Sequence, residues 1–197
     1  MTHRVEIVQF MVAAAAAAFT EFARDAESQR TVRQVFTALN QVGEQGSLSG
    51  CSLPVCSYLQ RALSVETHHE CLRSLIDQFA AIEPLLTWRR RLTFDAGTAS
   101  SNFGNGHANA MIIGPNGLED RLDVWLGVSL LAPEVRYPDH SHPPEEVYLV
   151  MSEGEFRQEE GAWFAPGIGG SFYNRRRIRH AMRSVNSPLF AFWVLQN

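Results

Sequence analysis

From about residue 92 to the end of the chain, short β-rich runs recur at a spacing of roughly ten residues with Gly, Pro or Asn between them, a pattern that indicates a sandwich or barrel. The runs are Ala110 to Ile113, Leu122 to Leu131, Glu146 to Met151, Gly154 to Arg157, Ala162 to Phe164, Ser171 to Tyr173 and Leu189 to Leu195. Before them the apolar period is longer. Val32, Val35, Phe36 and Leu39 fall on one face of a helix, and Leu72, Leu75, Ile76, Phe79 and Ala80 repeat that spacing in a second. Gly43, Gly46, Gly50 and Pro54 mark a loop between the two. No internal repeat or low-complexity linker separates the halves. The expectation is a helical segment over residues 1–90 packed on a β-barrel over residues 91–197.

All 17 basic residues are arginine. A chain without lysine has no side-chain amine for a Schiff base, for pyridoxal phosphate or for a Walker-type phosphate loop. No GxGxxG fingerprint supports a dinucleotide fold either. The 17 arginines are outnumbered by 21 acidic residues, giving a net charge of -4, which argues against nucleic acid as a partner. Cys51, Cys56 and Cys71 are odd in number and form no CxxC pair, as expected of free thiols in a reducing compartment. The stretch Ile7 to Phe19, with alanine from 13 to 18, has some features of a secretory signal. Glu6, Gln9 and a continuation through Glu21, Phe22 and Arg24 favour an N-terminal helix instead. No run reaches the ~20 apolar residues that span a bilayer. These features predict a cytoplasmic protein with no membrane or nucleic-acid partner; assembly into a homo-oligomer stays open.

Of the seven histidines, His3, His68, His69 and His107 sit in a terminus, a polar helical stretch and a glycine loop. The others belong to a pattern. Tyr137-Pro138-Asp139-His140-Ser141-His142-Pro143-Pro144-Glu145-Glu146-Val147-Tyr148 places two imidazoles two residues apart and a carboxylate four further on. On extended backbone, residues i and i+2 point the same way, so His140 and His142 can converge. The prolines turn the chain into a strand whose alternation puts Glu146 and Tyr148 on one face. His180 arrives before another strand. Three imidazoles and one carboxylate suit a divalent transition ion: Fe(II), Mn, Zn, Co or Ni. Asp139 and Glu145, flanking the ligands, are candidates to orient the imidazoles.

His140, His142 and Glu146, followed by Gly154, resemble the first motif of the cupins, and His180 answers to the histidine of the second. The resemblance implies an all-β cupin barrel (a double-stranded β-helix, or jelly roll) preceded by the helical segment. Across YPDHSHPPEEVYLVMSEGEFRQ, WFAPGIGGSFYN, HAMRS and the closing FWVL, the last sixty residues are similar to the cupin-type dimethylsulfoniopropionate lyases of the DddQ/DddL group. That similarity implies removal of a proton beside the substrate carboxylate and loss of dimethyl sulfide from the next carbon, leaving acrylate. It also implicates Tyr148 and Tyr137 in proton transfer or in holding the substrate. Tyrosine is a poor base at its free pKa near ~10. A metal on the Glu146 face favours phenolate there, which ranks Tyr148 first and Tyr137 second. A sulfonium carboxylate needs aromatic faces for its cation; Trp163, Tyr173 and Trp193 are the candidates, with Phe164 and Trp125 nearby in sequence. The Arg175 to Arg179 cluster reads as a solvated turn. The same ligand set would also serve an Fe(II) oxygenase of a small organic acid or thiol, or a cupin that binds a metal or ligand without catalysis.

Overall fold

The computed structural model describes residues 3–64 and 67–197. Helix α1 (Glu6–Phe22) is the alanine-rich stretch. It buries Met11, Ala15, Ala18 and Phe19, and its small side chains allow close packing against α4. Asp25 caps α2 (Ala26–Ala38) by accepting the Ser28 N–H at 2.7 Å. Then come β1 (Glu44–Gln45), α3 (Leu59–Leu63), α4 (Glu70–Ile82), β2 (Trp88–Arg89) and α5 (Phe103–Gly106). The β-rich half contributes β3 (His107–Ile113), β4 (Glu119–Asp120), β5 (Val124–Leu131), β6 (Arg136–His140), β7 (Glu145–Val150), β8 (Glu155–Gln158), β9 (Ser171–Asn174), β10 (His180–Arg183) and β11 (Leu189–Gln196). No helix among the described residues is long and apolar enough to cross a membrane.

The strands form two sheets. The larger runs β1-β4-β3-β5-β11-β7-β9, with β2 also paired to β3, and the smaller is β6-β10-β8. This is the barrel expected of the strand pattern, of the cupin type that the resemblance implies. Two details differ from expectation. The run Ala162 to Phe164 is not a strand; only Phe164 bridges to Phe156, because exposed glycine-rich loops flank it. Conversely, β1 and β2 come from the helical half and extend the large sheet, Trp88 lying opposite Ala110.

Strands β7 and β11 are buried on both faces, which explains the apolar runs Val147 to Val150 and Leu189 to Leu195 within them. On β11, Phe190 and Phe192 turn toward α4, where Phe79 meets them with ring centroids 5.0 and 5.4 Å away. The alternate residues, Trp193 and Leu195, face the interior between the sheets. Register then sets the interior's shape. Trp193 lies opposite Tyr148 on one side and Gly127 on the other. A Cβ built on Gly127 would come within 2.2 and 2.4 Å of the Trp193 ring and 2.7 Å of the Ala110 carbonyl, so the indole occupies the space a side chain would take. Gly127→Ala should therefore destabilise the fold by about 1–3 kcal/mol, a typical overpacking cost, read as a lower denaturation midpoint with displaced Trp193 fluorescence.

Candidate metal centre

Strands β6 and β10 pair with His140 opposite His180, and a register shift follows, so that Met182 lies opposite Tyr137. Residues three apart on a regular strand point to opposite faces. The irregularity absorbs the extra residue, and Tyr137 and His140 both reach the interior. His142 lies just past the end of β6, in the turn made by the two prolines, and Glu146 projects inward from β7.

The donor atoms of His142, Glu146 and His180 lie within 4.8 Å of one another. Both Nε2 atoms are 3.3 Å from the same carboxylate oxygen, Glu146 Oε2, yet neither is aligned for a hydrogen bond, and both are buried without a partner. Each imidazole donates its Nδ1 hydrogen to a backbone carbonyl at 3.0 Å: His140 to Pro138, His142 to Pro144 and His180 to Ile178. A carbonyl can only accept, so every Nε2 is the lone-pair nitrogen a metal requires. Two donors on one ion with bonds of about 2.1 Å at a tetrahedral angle lie about 3.4 Å apart, close to the spacing found. The residues present therefore fit a divalent transition metal. His140 stands beside the group, its ring centroid 4.1 Å from that of His180, without belonging to the close set of donors.

Burial alone would raise the Glu146 carboxyl pKa; the neighbouring imidazoles outweigh it and hold the group well below the usual carboxylate range. Burial also opposes the charged form of His142, and Glu146 reverses that, raising it. At His140, burial and the adjacent His180 lower the pKa well below the ordinary histidine value. Burial and the Glu146 charge push the Tyr148 phenol well above its ordinary value.

The groups that orient this set are not those the sequence pointed to. Asp139 pairs with Arg136 and Arg157 at 2.9 and 2.7 Å, and Glu145 takes hydrogen bonds from Arg30 and Tyr173, both at 2.6 Å. Neither touches an imidazole, because each lies one position from a ligand and alternation turns it outward. The carboxylate is instead held by Asn174, fully buried on β9, whose Nδ2 donates to Glu146 Oε2 at 2.9 Å. Gln158 in turn donates to Asn174 Oδ1 at 2.7 Å. A lone Asn in a strand carries no sequence signal for this; the pairing of Glu146 with Asn174 across β7 and β9 makes it.

A cavity of about 160 Å³ adjoins the ligands, smaller than the ~300 Å³ at which sites for drug-sized molecules begin. Tyr137, Tyr148, Trp125 and Trp193 line it, as does Arg91, which the sequence reading passed over. Among the described residues no carboxylate pairs with Arg91. Its backbone N–H is held by His107 Nε2 at 2.8 Å, and its Nε donates to the Thr93 carbonyl at 3.0 Å. His107 is therefore not a loop residue: it opens β3, wholly buried and stacked on Phe103.

Trp163 and Tyr173 are not at this cavity. Trp163 sits under the guanidinium groups of Arg136, Arg157 and Arg183, and Tyr173 faces Arg30 of α2. Arg175, Arg176, Arg177 and Arg179 form an exposed turn, with Arg175 and Arg179 paired to Glu159 and Glu160. Asn174→Ala should weaken metal binding about 10- to 100-fold, the usual effect of losing a ligand's supporting partner, measured by chelator competition.

Comparison with known proteins gives the same architecture. The crystal structure of DMSP lyase DddQ from Ruegeria pomeroyi DSS-3 superposes with a TM-score of 0.72 at 21% identity, covering 97% of this chain and 91% of that one. A chain from the crystal structures of DMSP lyases RdDddP and RnDddQII gives 0.70 at 21% identity, covering 97% and 92%. At that identity the likeness establishes the fold. In sequence, 118 residues are 29% identical to dimethylsulfoniopropionate lyase DddQ of Ruegeria pomeroyi, covering 58% of this chain and 57% of that protein's length. The family model for dimethylsulfoniopropionate lyases matches residues 27–191. That span runs from α2 into the first three residues of β11 and takes in the whole donor set, and the chain belongs to the dimethylsulfoniopropionate lyase family.

Proposed function

We propose that this chain cleaves dimethylsulfoniopropionate by β-elimination at a divalent transition metal held by His142, Glu146 and His180, with His140 as a fourth ligand. The observation that carries this reading is the pair of buried, partnerless Nε2 atoms converging on Glu146 beside a small cavity lined by phenols, indoles and one unpaired arginine. The dimethylsulfoniopropionate lyase named among its relatives supports the choice of substrate.

The substrate carries a carboxylate at one end and a sulfonium at the other. Arg91 and the partnerless Trp125 Nε1–H supply positive charge and a donor for the carboxylate end. The faces of Trp193 and Trp125 suit the cation, an attraction of about 0.5–2 kcal/mol. A bound divalent ion supplies a Lewis acid that draws charge onto the carboxylate as the α-carbon loses its proton.

Proton removal is assigned to Tyr137, reversing the order expected from sequence. Its oxygen accepts a hydrogen bond from Asn109 Nδ2 at 3.3 Å, an arrangement preorganised for a phenolate. Tyr148 lies against the Glu146 carboxylate, packed on Phe172 and Phe156, and serves to hold the substrate. As the phenolate takes the α-proton, the C–H electron pair becomes the new C=C bond. The C–S pair departs with sulfur as dimethyl sulfide, acrylate remains, and the phenol returns its proton to solvent. The three unpaired cysteines suit a cytoplasmic setting.

The metal-loaded protein should release dimethyl sulfide from dimethylsulfoniopropionate without consuming oxygen, measured by headspace gas chromatography with an oxygen electrode. Chelator should stop the reaction and added metal restore it. Absence of dimethyl sulfide with the site verifiably occupied, or stoichiometric oxygen uptake, would overturn the lyase reading. His142→Ala, Glu146→Ala and His180→Ala should each lose bound metal and turnover together. Tyr137→Phe should retain the metal and lose about 10²- to 10⁴-fold in kcat, the usual contribution of a general base; full activity in that variant would remove Tyr137 from the role.

A further inference from the structure

We infer that Trp193, Ser129 and Asn109 form a one-way hydrogen-bond chain that fixes the direction of the Tyr137 hydroxyl, making Asn109 a positioning residue for proton transfer. The links are short and come from separate strands. Trp193 Nε1 on β11 donates to Ser129 Oγ on β5 at 3.0 Å. Ser129 Oγ donates to Asn109 Oδ1 on β3 at 2.7 Å, and Asn109 Nδ2 donates to Tyr137 Oη on β6 at 3.3 Å. The chain thus crosses from the large sheet to the small one.

Its polarity follows from the indole N–H at one end and from the placement of the Asn109 amide at the other. An indole N–H can only donate, so the serine oxygen must accept it and turn its own hydrogen elsewhere. Asn109 Oδ1 lies toward Ser129 and accepts that hydrogen, and the amide NH₂ faces Tyr137. The phenol oxygen receives that hydrogen bond, and Tyr137 donates to no protein acceptor among the described residues. Its ring cannot swing away. Phe103 packs edge-on at 4.9 Å and His140 lies at 4.8 Å. The hydroxyl torsion is the remaining freedom, and Asn109 excludes the orientation that points toward β3. The hydrogen, or the lone pair that replaces it, is left facing the cavity. Register maintains the arrangement: Asn109 lies directly opposite Ser129, and Gly127, opposite Trp193, leaves room for the indole to reach across β5.

The inference rests on the assignment of proton removal to Tyr137, and the test separates the two. Asn109→Asp is close to isosteric. It can still accept from Ser129, but it presents an acceptor to Tyr137 where a donor stood, and so draws the phenol hydrogen away from the cavity. In the metal-loaded enzyme, kcat should fall about 100-fold, as expected for misaligned reacting groups, with KM and bound metal unchanged. In a Tyr137→Phe background the same substitution should cost nothing further. Ser129→Ala should lose part of the rate and Ser129→Thr, which keeps the hydroxyl, should recover it. Equal losses in both backgrounds, or a change confined to KM or metal content, would overturn the proposal.

A second measurement needs no turnover. The tyrosine ring doublet in the ultraviolet resonance Raman spectrum reports whether a phenol oxygen accepts or donates a hydrogen bond. Subtracting the spectrum of Tyr137→Phe isolates that residue from the other three of the chain's four tyrosines. An acceptor signature that changes to a donor signature in Asn109→Asp supports the chain; an unchanged signature overturns it. If the wild-type protein releases no dimethyl sulfide, the lyase reading fails, and the Raman result still decides whether Asn109 orients Tyr137.

Discussion

Burying the ionised Glu146 carboxylate inside a barrel costs several kcal/mol unless its charge is met, and the interior is arranged around meeting it. Two imidazoles bring their Nε2 atoms to 3.3 Å of one oxygen, and Asn174 donates to that same atom. The imidazoles are turned so that their hydrogens are already committed to backbone carbonyls. Neutral lone pairs are therefore left facing a carboxylate, an assembly whose electrostatics are completed by a cation. Burial raises the Glu146 pKa, while His142 and His180 lower it when they take up a proton, and the second effect is the larger.

The neighbouring carboxylate shows how the helical half is tied to this centre. Glu145 and Glu146 are adjacent on β7 and face opposite sides of the large sheet. Glu146 looks inward, while Glu145 is bound by Arg30 of α2 and by Tyr173. Together with the packing of Phe79 on Phe190 and Phe192, this fixes the outer faces of β7 and β11, whose inner faces carry Glu146, Tyr148 and Trp193. The helices contribute to the site by immobilising the strands that present it. They supply no ligand themselves.

Two devices of sheet geometry then place the phenols and indole. The register shift between β6 and β10 lets Tyr137 and His140, an odd number of residues apart, share one face. The absence of a side chain at Gly127 lets Trp193 lie across β5 and reach Ser129. Either device is a local departure from regular strand structure, and both occur at the cavity wall, where irregularities re-aim side chains.

Much was legible in the sequence for reasons that are local. Helical and strand periods, the prolines turning after His142, the spacing of His140, His142 and Glu146 and the alternation bringing Tyr148 beside Glu146 all follow from backbone geometry over a few residues. What partners each charge did not follow. Trp163 and Tyr173 were expected at the cavity because aromatic residues in a β-rich half have equal claim until register is known; strand pairing sends Tyr173 outward to Arg30, and Trp163 lies in a loop against three arginines. Arg91, Asn109, Ser129 and Asn174 carry no motif; the last three each acquire a role from a neighbour 20 or more positions away along the chain, and Arg91 from the cavity it lines. The amino-acid sequence by itself determined the donor types and their local facing, because alternation and turns are short-range. Tertiary structure alone decided which donor, acceptor and cavity wall each would meet, because hydrogen bonds between strands depend on register, and register is a property of the whole sheet.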